Sequence, residues 1–520
     1  MTTAEVLVVG AGPTGLTAAT ELARRGIEVR IVDAASTPNT ETRALGVQAR
    51  TLELLARQGT AEPIIADGLA VTDFHVLSEN HEIMHLLLSG LDSPYPYLLM
   101  LPQPQVEAHI ATRLGAAGIT IERPVRLRDL HQDAAGVQVR LQHGDGTIEE
   151  LQASWVIGCD GARSAVRERL GMAFEGDAFE ESFAVADVRM DWQLPYDELF
   201  AFLNRGDFMT FFPMPHGLHR VAIAYADRAG EPDGPVTVEE LQRSAQVCGP
   251  PGARVAEVLQ AGRFHINQRY VERHSRGRVF LAGDAAHVHS VVGAQGMNTG
   301  IQDAFNLGWK LAAVIRGRAH PALLDTYAQE RGAVARRLVK GTRRFTQLTL
   351  LHDPVTTALR RDIAPHILSR PRVQHALTEA VAQIDVSYHD GSHHNRVPQA
   401  GDRAPDVPVL HNGATVQLFR LLDPVDYTLL AFGPVPRPHP LIGRVLQVTD
   451  APTVDGDRIR VGGAAIRGRY GVPGAGVVLI RPDGYVGFRA VGDESAGLED
   501  YLAGPAADRR TVRSGGTVGR

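Results

Sequence analysis

The N-terminal residues have the element order of a single βαβ unit. The apolar run from Glu5 to Val9 predicts a buried strand, and it leads directly into the loop from Gly10 to Gly15. A helix from Leu16 to Arg25 follows, and a second strand from Glu28 to Val32 ends on Asp33. The loop has the spacing G-x-G-x-x-G in the position where a nucleotide-binding βαβ unit requires it.

Each loop residue has a distinct physical reason for its place. The first glycine permits a tight turn, the second lets a pyrophosphate approach the backbone, and the third allows close helix–strand packing. Asp33 can bond a ribose hydroxyl, although it could also be a strand-end turn residue. The unit therefore predicts a bound adenine dinucleotide, with these candidate contacts: Gly10, Gly12, Pro13, Thr14, Gly15 and Asp33.

A second glycine-rich stretch, from Arg278 to Leu311, has a similar order of elements. The apolar run from Val279 to Leu281 predicts a strand, which Gly283 and Asp284 end. A loop at 293–298 leads into apolar residues at helical spacing. Loop glycines and a helix N-terminus together suit an anion, because they present unpaired N–H groups and a positive dipole. Two such stretches in one chain favour one phosphate-bearing cofactor over a plain strand–loop–helix connection.

Three other positions could contact the same cofactor. Arg43 precedes an amphipathic helix and could pair with a phosphate or lie solvated. Gln103 opens a helix, where it could bond the cofactor or only cap. Asp160 and Gly161 end a strand, and Ser164 then opens another helix.

Residues 71–100 and 176–275 depart from this pattern and predict an antiparallel sheet with one apolar face. Such a sheet would suit a flat hydrophobic substrate. We take Phe202, Met209 and Phe211 as candidate substrate contacts. Alternation along 208–212 offers a second face, Phe208, Thr210 and Phe212, and the sequence does not say which face meets the substrate.

The composition excludes several classes of function. A net charge of -6 argues against a nucleic-acid or anionic-membrane partner, and no apolar run is long enough to span a bilayer. Cys159 and Cys248 cannot form a disulfide framework or a zinc site. The N-terminus lacks the basic region of a signal peptide, so we expect a cytosolic protein. His389 and His393 flank a turn at 390–392, which we interpret as a linker, so no metal site is predicted.

Three motifs together resemble the group A flavoprotein monooxygenases, the single-component FAD-dependent aromatic hydroxylases. They are Gly10–Gly15 with Asp33, Asp160 to Arg167, and Gly283 to Asn298. Arg403 to Asp406 and Leu479 to Gly484 resemble the branch that has a C-terminal thioredoxin-like domain. That branch includes phenol hydroxylases and bacterial aromatic-polyketide hydroxylases of antibiotic biosynthesis.

The resemblance implies an α/β fold of several domains. A Rossmann-like FAD-binding domain would comprise 1–70, 101–175 and 276–335, and 71–100 with 176–275 would form the inserted antiparallel-sheet substrate domain. A helical linker at 336–395 would lead to a thioredoxin-like domain without CxxC at 396–510 and a flexible tail at 511–520.

The resemblance also implies FAD bound in extended form. Arg43 and Gln103 occupy positions that contact the FAD chain, and Asp284 would bond the ribityl group. Gly296, Met297 and Asn298 would lie against the isoalloxazine, and Asp160 belongs to a motif linked to FAD and the transient nicotinamide. Two departures, Val291 for a frequent proline and Ala294 for a frequent glycine, concern the geometry of the flavin loop.

The implied activity is NAD(P)H- and O2-dependent hydroxylation of a phenolic or polycyclic aromatic through a flavin C4a-hydroperoxide. The flavin would do the chemistry, so no catalytic residue is assigned, although His216, His219 and Tyr225 could deprotonate a phenol. A Baeyer–Villiger-type oxygenase or an epoxidase of the same fold is the alternative. The expected partners are a small aromatic substrate and O2, with NADPH or NADH as co-substrate, and a homodimer is possible.

Overall fold

The computed structural model of the protein describes residues 2–40, 44–79, 81–204, 207–224, 234–288, 295–350, 361–389, 397–449, 458–460, 465–492 and 497–504. Five residues named above, Arg43, Tyr225, Val291, Ala294 and His393, lie outside this set, as do the turn at 390–392 and the predicted tail. The predictions made for them are therefore left as they stand.

The strands and helices are numbered here in chain order. The strands are β1 Thr2–Val9, β2 Val29–Val32, β3 Gly46–Val47, β4 Leu69–Val71, β5 Asp73–Ser78, β6 His81–Leu87, β7 Leu98–Met100, β8 Ile121–Glu122, β9 Val125–Gln132, β10 Val137–His143, β11 Ile148–Gly158, β12 Glu175–Asp191, β13 Leu199–Asn204, β14 Asp207–Met214, β15 Leu218–Ala224, β16 Arg254–Tyr270, β17 Ser275–Arg276, β18 Val279–Leu281, β19 His287–Val288, β20 Pro408–His411, β21 Ala414–Gln417, β22 Tyr427–Phe432, β23 Ile442–Thr449, β24 Arg458–Arg460, β25 Gly476–Ile480 and β26 Val486–Val491. The helices are α1 Pro13–Ala23, α2 Ala49–Gln58, α3 Ala61–Asp67, α4 Gln103–Ala116, α5 Ala165–Arg169, α6 Val238–Val247, α7 Gly296–Ile315, α8 Asp325–Leu350, α9 Ala364–Leu368, α10 Pro371–Ala382, α11 Ala465–Tyr470 and α12 Gly497–Ala503.

The first sheet has the strand order β17–β18–β11–β1–β2–β8, and β10 joins β11 to β9. β1 lies parallel to both β2 and β11, with Val8 opposite Ile31 on one side and Ile157 on the other. β11 is also parallel to β18. This parallel core brings the C-terminal ends of β1, β11 and β18 to one edge, which is where ligands bind in α/β sheets.

The second sheet has the order β19–β16–β12–β15–β14–β13–β5–β6 and is antiparallel except for the parallel pair β13–β5. The prediction of one apolar face is wrong, because both faces of the sheet carry apolar side chains. One face buries Phe202, Met209 and Phe211 against Leu241 and Ala245 of α6. On the other face, apolar side chains of the sheet pack against residues at 45–49 and 98–100.

The chain divides into two compact units, Met1–Gly308 with Glu330–His393, and Trp309–Gln329 with His394–Arg520. The second unit contains the sheet β21–β20–β24–β23–β22–β25–β26, in which β22, β23 and β24 are parallel neighbours. The predicted domain boundaries stay predictions. Trp309 and Leu323 pack with Tyr427 and Leu479 in one apolar cluster, which explains why residues 309–329 belong to the second unit.

The term thioredoxin-like stays a prediction for the second unit. Among the described residues, no helix combines the length and the apolar character needed to cross a bilayer.

Candidate cofactor and substrate site

The Gly10–Gly15 loop requires glycine at two positions and leaves open space at a third. Gly10 has a φ of 102°, and a Cβ on it would overlap the carbonyl oxygen of Cys159. A Cβ on Gly15 would overlap the carbonyl of Gly10. By contrast, no atom lies within 4 Å of a Cβ built on Gly12, which caps α1 without a side-chain hydrogen bond. Open space above the unpaired amides of a helix start fits the pyrophosphate of FAD.

Asp33 is held rigidly at the end of β2. Its Oδ2 accepts a hydrogen bond from the Ala11 amide at 2.7 Å, and its Oδ1 accepts one from the Ala35 amide at 2.8 Å. The guanidinium of Arg123 pairs with Oδ1 at 2.9 Å. The carboxylate therefore braces the glycine loop, and it keeps some exposure for a ribose hydroxyl. Arg123 was not predicted from the sequence, because it lies far along the chain on a connection without a motif.

Thr14 joins the two glycine-rich stretches. A Cβ on Gly283 would come within 2.5 Å of the Thr14 hydroxyl oxygen, and a Cβ on Gly300 would overlap the same atom. Gly283 also has a φ of 61°, which favours glycine. The N-terminal loop and the second stretch are thus in direct contact, as two halves of one cofactor site require.

The Asp160 motif forms a bridge between these halves. The Asp160 carboxylate accepts hydrogen bonds from the Ser164 hydroxyl at 2.5 Å and the Val166 amide at 3.1 Å, so it organises the start of α5. Burial raises the pKa of Asp160, and these hydrogen bonds oppose that rise. Arg167 donates to the carbonyls of Ala162 and Ala285, the second of which belongs to the Gly283 stretch. Asp160 therefore has a structural role at the start of α5, in addition to its predicted contact with FAD.

In the run from Val279 to Val288, Asp284 is the exposed side chain among buried neighbours. This exposure agrees with the proposed bond to a cofactor. In contrast to the exposed Asp284, Asn298 is fully buried at the first turn of α7. Its side-chain oxygen accepts from the Gln48 amide at 2.9 Å, and its Nδ2 donates to the Gly46 carbonyl at 2.8 Å. Asn298 therefore fastens 46–48 to the helix start, and Met297 beside it is also buried.

Gln103 is the first residue of α4. Its backbone amide donates a hydrogen bond to the carbonyl of Ala44 at 2.9 Å, and its side-chain nitrogen donates to the carboxylate of Glu107 at 2.8 Å. Gln103 thus lies next to the segment that follows Arg43. The proposed contacts of both residues with the FAD chain stay predictions.

A fully buried ionic network holds the second glycine-rich stretch in place. Asp303 of α7 accepts hydrogen bonds from the Gly283 amide at 3.0 Å and from His287 at 2.7 Å. It also pairs with Arg331 at 2.6 Å, and Arg331 in turn donates to the Thr299 carbonyl. Burial opposes ionisation of Asp303, but Arg331 and His287 outweigh it and hold the pKa of the carboxyl well below its usual range.

This network was missed in the sequence analysis. A charged residue inside an otherwise apolar helical pattern was the available signal. Its partner Arg331 lies on another helix, and sequence spacing does not reveal that pairing.

The structure changes the prediction for the substrate face. Phe202, Met209 and Phe211 are each at most 1% exposed, and helix α6 covers their face of the sheet. Because protein side chains fill that space, we transfer the proposed contacts to the opposite face, which includes Phe212.

The opposite face borders residues that are predicted to lie near the cofactor. Sheet residues and residues around Gln48 form a single apolar cluster, in which several aromatic and aliphatic side chains are only partly buried. From the sheet and its neighbouring loop these are Phe74, Tyr95, Phe212 and Leu218, and the buried members from the cofactor side include Leu45, Ala49 and Met100. Partly buried aromatic side chains beside the segments predicted to face the flavin are suited to a flat apolar ligand.

One buried ion pair lies on this same face. Arg220 is directly opposite Phe212 on β14 and Asp187 on β12, so the three side chains point to one side of the sheet. The guanidinium binds the Asp187 carboxylate through two hydrogen bonds of 2.8 Å. This pair gives an otherwise apolar face a fixed polar group.

His216 and His219, which were considered as bases for a phenol, lie in two different environments. His216 is exposed in the turn between β14 and β15, with a φ of 66°. His219 is buried against Trp192 on the α6-covered face, and burial lowers its pKa to about 4. Neither residue lies among the partly buried aromatics of the proposed substrate face.

The joined glycine loops and the adjoining sheet define an FAD-binding oxidoreductase. A family model described as FAD binding domain matches residues 3–342, and one described as aromatic-ring hydroxylase, C-terminal, matches residues 397–504. The chain belongs to the FAD-dependent aromatic-ring hydroxylases, so it is a flavin-dependent aromatic monooxygenase.

Known relatives match nearly the whole chain. It is 36% identical to 6-methylpretetramide 4-monooxygenase of Streptomyces rimosus, covering 93% of this chain and 90% of the relative. It is 33% identical to pentachlorophenol 4-monooxygenase of Sphingobium chlorophenolicum, with 92% and 86% covered. The solved structure of OxyS anhydrotetracycline hydroxylase from Streptomyces rimosus is similar with a TM-score of 0.76 and 30% identity, with 96% of this chain and 99% of that chain covered.

Proposed function

We propose that the protein hydroxylates a polycyclic, polyketide-like aromatic, with O2 and NAD(P)H as co-substrates. The observation that carries this proposal is the face with Phe74, Tyr95 and Phe212, which is apolar, partly open and continuous with the residues around Gln48. A fused-ring substrate has large flat apolar area, and such a face can bury it while keeping water from the reacting centre.

When bound, FAD would supply the redox chemistry, accepting electrons from NAD(P)H and activating O2. The protein residues bind and orient. The open space over Gly12 would receive the pyrophosphate, Asp33 would hold a ribose, and Asp284 would bond the ribityl chain. Asp303 and Asn298 keep the flavin-facing segments in position through the hydrogen bonds described above.

The Arg220–Asp187 pair supports a role in orienting the substrate. Arg220 is opposite Phe212 in the sheet, and its guanidinium is fixed by two hydrogen bonds. An arginine held in this way can donate a hydrogen bond to an oxygen substituent of the substrate and so fix the orientation of the ring. The ring carbon next to a phenolic oxygen is electron-rich, as hydroxylation requires.

Two of the relatives support the preference for a fused-ring substrate over a simple phenol. One is named for 6-methylpretetramide and the solved structure for anhydrotetracycline, whereas a third relative is named for pentachlorophenol. The choice between NADPH and NADH, a cytosolic location and a homodimer stay predictions.

The test is a substrate panel on the FAD-loaded protein. Fused-ring phenols should stimulate NAD(P)H oxidation, and the product should gain one hydroxyl oxygen. Simple phenols should stimulate less. If monocyclic phenols give equal coupling of oxidation to product, the fused-ring proposal fails. If the product is a lactone or an epoxide by NMR, the alternative oxygen chemistry applies.

A further inference from the structure

The hairpin of β5 and β6 at the edge of the second sheet brings two histidines and an aspartate together. His75 and His85 are directly opposite each other in the antiparallel pair, so their side chains share a face. Asp73 lies two residues before His75 on β5 and therefore points to the same side. The stacked imidazole rings have centroids 4.1 Å apart.

The polar atoms of these side chains converge. Nε2 of His85 lies 2.8 Å from Oδ1 of Asp73, and one ligand atom from each of Asp73, His75 and His85 lies within 4.8 Å of the other two. Ligands around a small cation are roughly 3–3.5 Å apart when each is about 2.0–2.2 Å from the metal. Small side-chain adjustments would thus bring all three to bonding distance.

Two further carboxylates approach the same group. Glu82 lies 2.5 Å from Nδ1 of His75, and Glu198, just before β13, lies 3.0 Å from its Nε2. That Nε2 is buried, and its contact with Glu198 lacks the geometry of a hydrogen bond. A metal ion can satisfy such a nitrogen and carboxylate together.

Neighbouring side chains fix the orientation of the cluster. Phe200 stacks on His75 with centroids 4.9 Å apart, and Thr72 donates a 2.6 Å hydrogen bond to Oδ2 of Asp73. Supporting contacts of this kind orient metal ligands in known sites. His75, Leu77 and Phe200 lie on the α6-covered face, so the cluster is separate from the proposed substrate face.

We propose that Asp73, His75 and His85 bind a divalent transition-metal ion, with Zn2+ as the best match. Two imidazoles with one carboxylate form a donor set that suits Zn2+. The ion would cross-link β5 and β6, and so brace the edge of the sheet without taking part in the oxygen chemistry.

The test is calorimetric titration of Zn2+ into chelator-treated, FAD-loaded protein at neutral pH. The variants His85→Gln and His75→Gln remove one ligand each. His81→Ala is the matched control, because His81 is an exposed histidine of the same strand outside the cluster. Retained flavin absorbance and an unchanged melting temperature without metal would establish that each variant folds.

We expect one Zn2+ per chain in the wild type and in His81→Ala, with a rise in melting temperature on addition of Zn2+. Both ligand variants should lose at least about tenfold in affinity, since even changes to supporting residues cost about 10–100-fold. The proposal is overturned if the wild type shows no saturable binding. It is equally overturned if both ligand variants bind as the wild type does, which would move the metal to another site such as the stretch around His389.

Discussion

Replacing Asp303 with Asn should destabilise the protein strongly, because it leaves Arg331 buried without its charge partner. Both side chains are completely inaccessible, and their charged atoms are 2.6 Å apart. Removing one member of a buried ion pair costs about 3–5 kcal/mol in the free energy of unfolding. Asn keeps the size of Asp, so the loss reports the charge rather than a cavity.

The second consequence concerns the cofactor. Asp303 accepts hydrogen bonds from the Gly283 amide and from His287, so the substitution should also loosen the stretch that carries Asp284. We expect the purified Asp303→Asn variant to retain less FAD than the wild type, even at a temperature where it is folded.

The assay is urea unfolding followed by circular dichroism, together with the ratio of flavin to protein absorbance. Asp191→Asn is the control, since Asp191 pairs with Arg254 at 2.9 Å but both side chains are more than 60% exposed. That change should cost less than about 0.5 kcal/mol. If Asp303→Asn costs no more than the control, the ionic network does not have the role assigned to it.

Further predictions concern the site and the acid stability. Gly283→Ala should lower FAD content, because its Cβ would meet the Thr14 hydroxyl, whereas Gly317→Ala, with a φ of 63° and nothing within 4 Å, controls for backbone strain alone. Asp284→Ala should lose FAD during gel filtration, and full flavin content would refute its contact with the cofactor. Phe212→Ala should raise KM for a fused-ring substrate with a small effect on stability, whereas Phe211→Ala should cost about 3–5 kcal/mol in unfolding free energy. The pKa of Asp303 is lower in the folded state than its ordinary 3.8. Its contribution to the free energy of unfolding is therefore present above pH about 4 and is lost as the pH falls below that value. The Asp303→Asn variant should lack this pH-dependent loss of stability in acid unfolding.

Local sequence patterns were sufficient to predict the first glycine loop. Glycine is needed there because Gly10 has a positive φ and because a Cβ on Gly10 or Gly15 would overlap Cys159 or the loop itself. The spacing of the glycines is therefore enough to predict the loop. The fold class followed from the same motifs and from the resemblance. The comparisons and the mixed α/β architecture agree with it.

Contacts between distant segments could not be predicted in this way. The pairing of Asp303 with Arg331 depends on how two helices pack, and the clamp of Asn298 on Gly46 and Gln48 joins residues about 250 positions apart. The face of β14 that meets substrate was also undetermined. Both faces are apolar, and only the position of α6 shows that Phe211 is covered.

The most direct test of the whole account is a turnover of the FAD-loaded protein with a fused-ring phenol under isotopically labelled O2. The account predicts that the product contains one labelled oxygen, as a new hydroxyl on the aromatic ring, and that the cofactor extracted from the protein is FAD. A product without labelled oxygen, or a protein that turns over with no bound flavin, would contradict it.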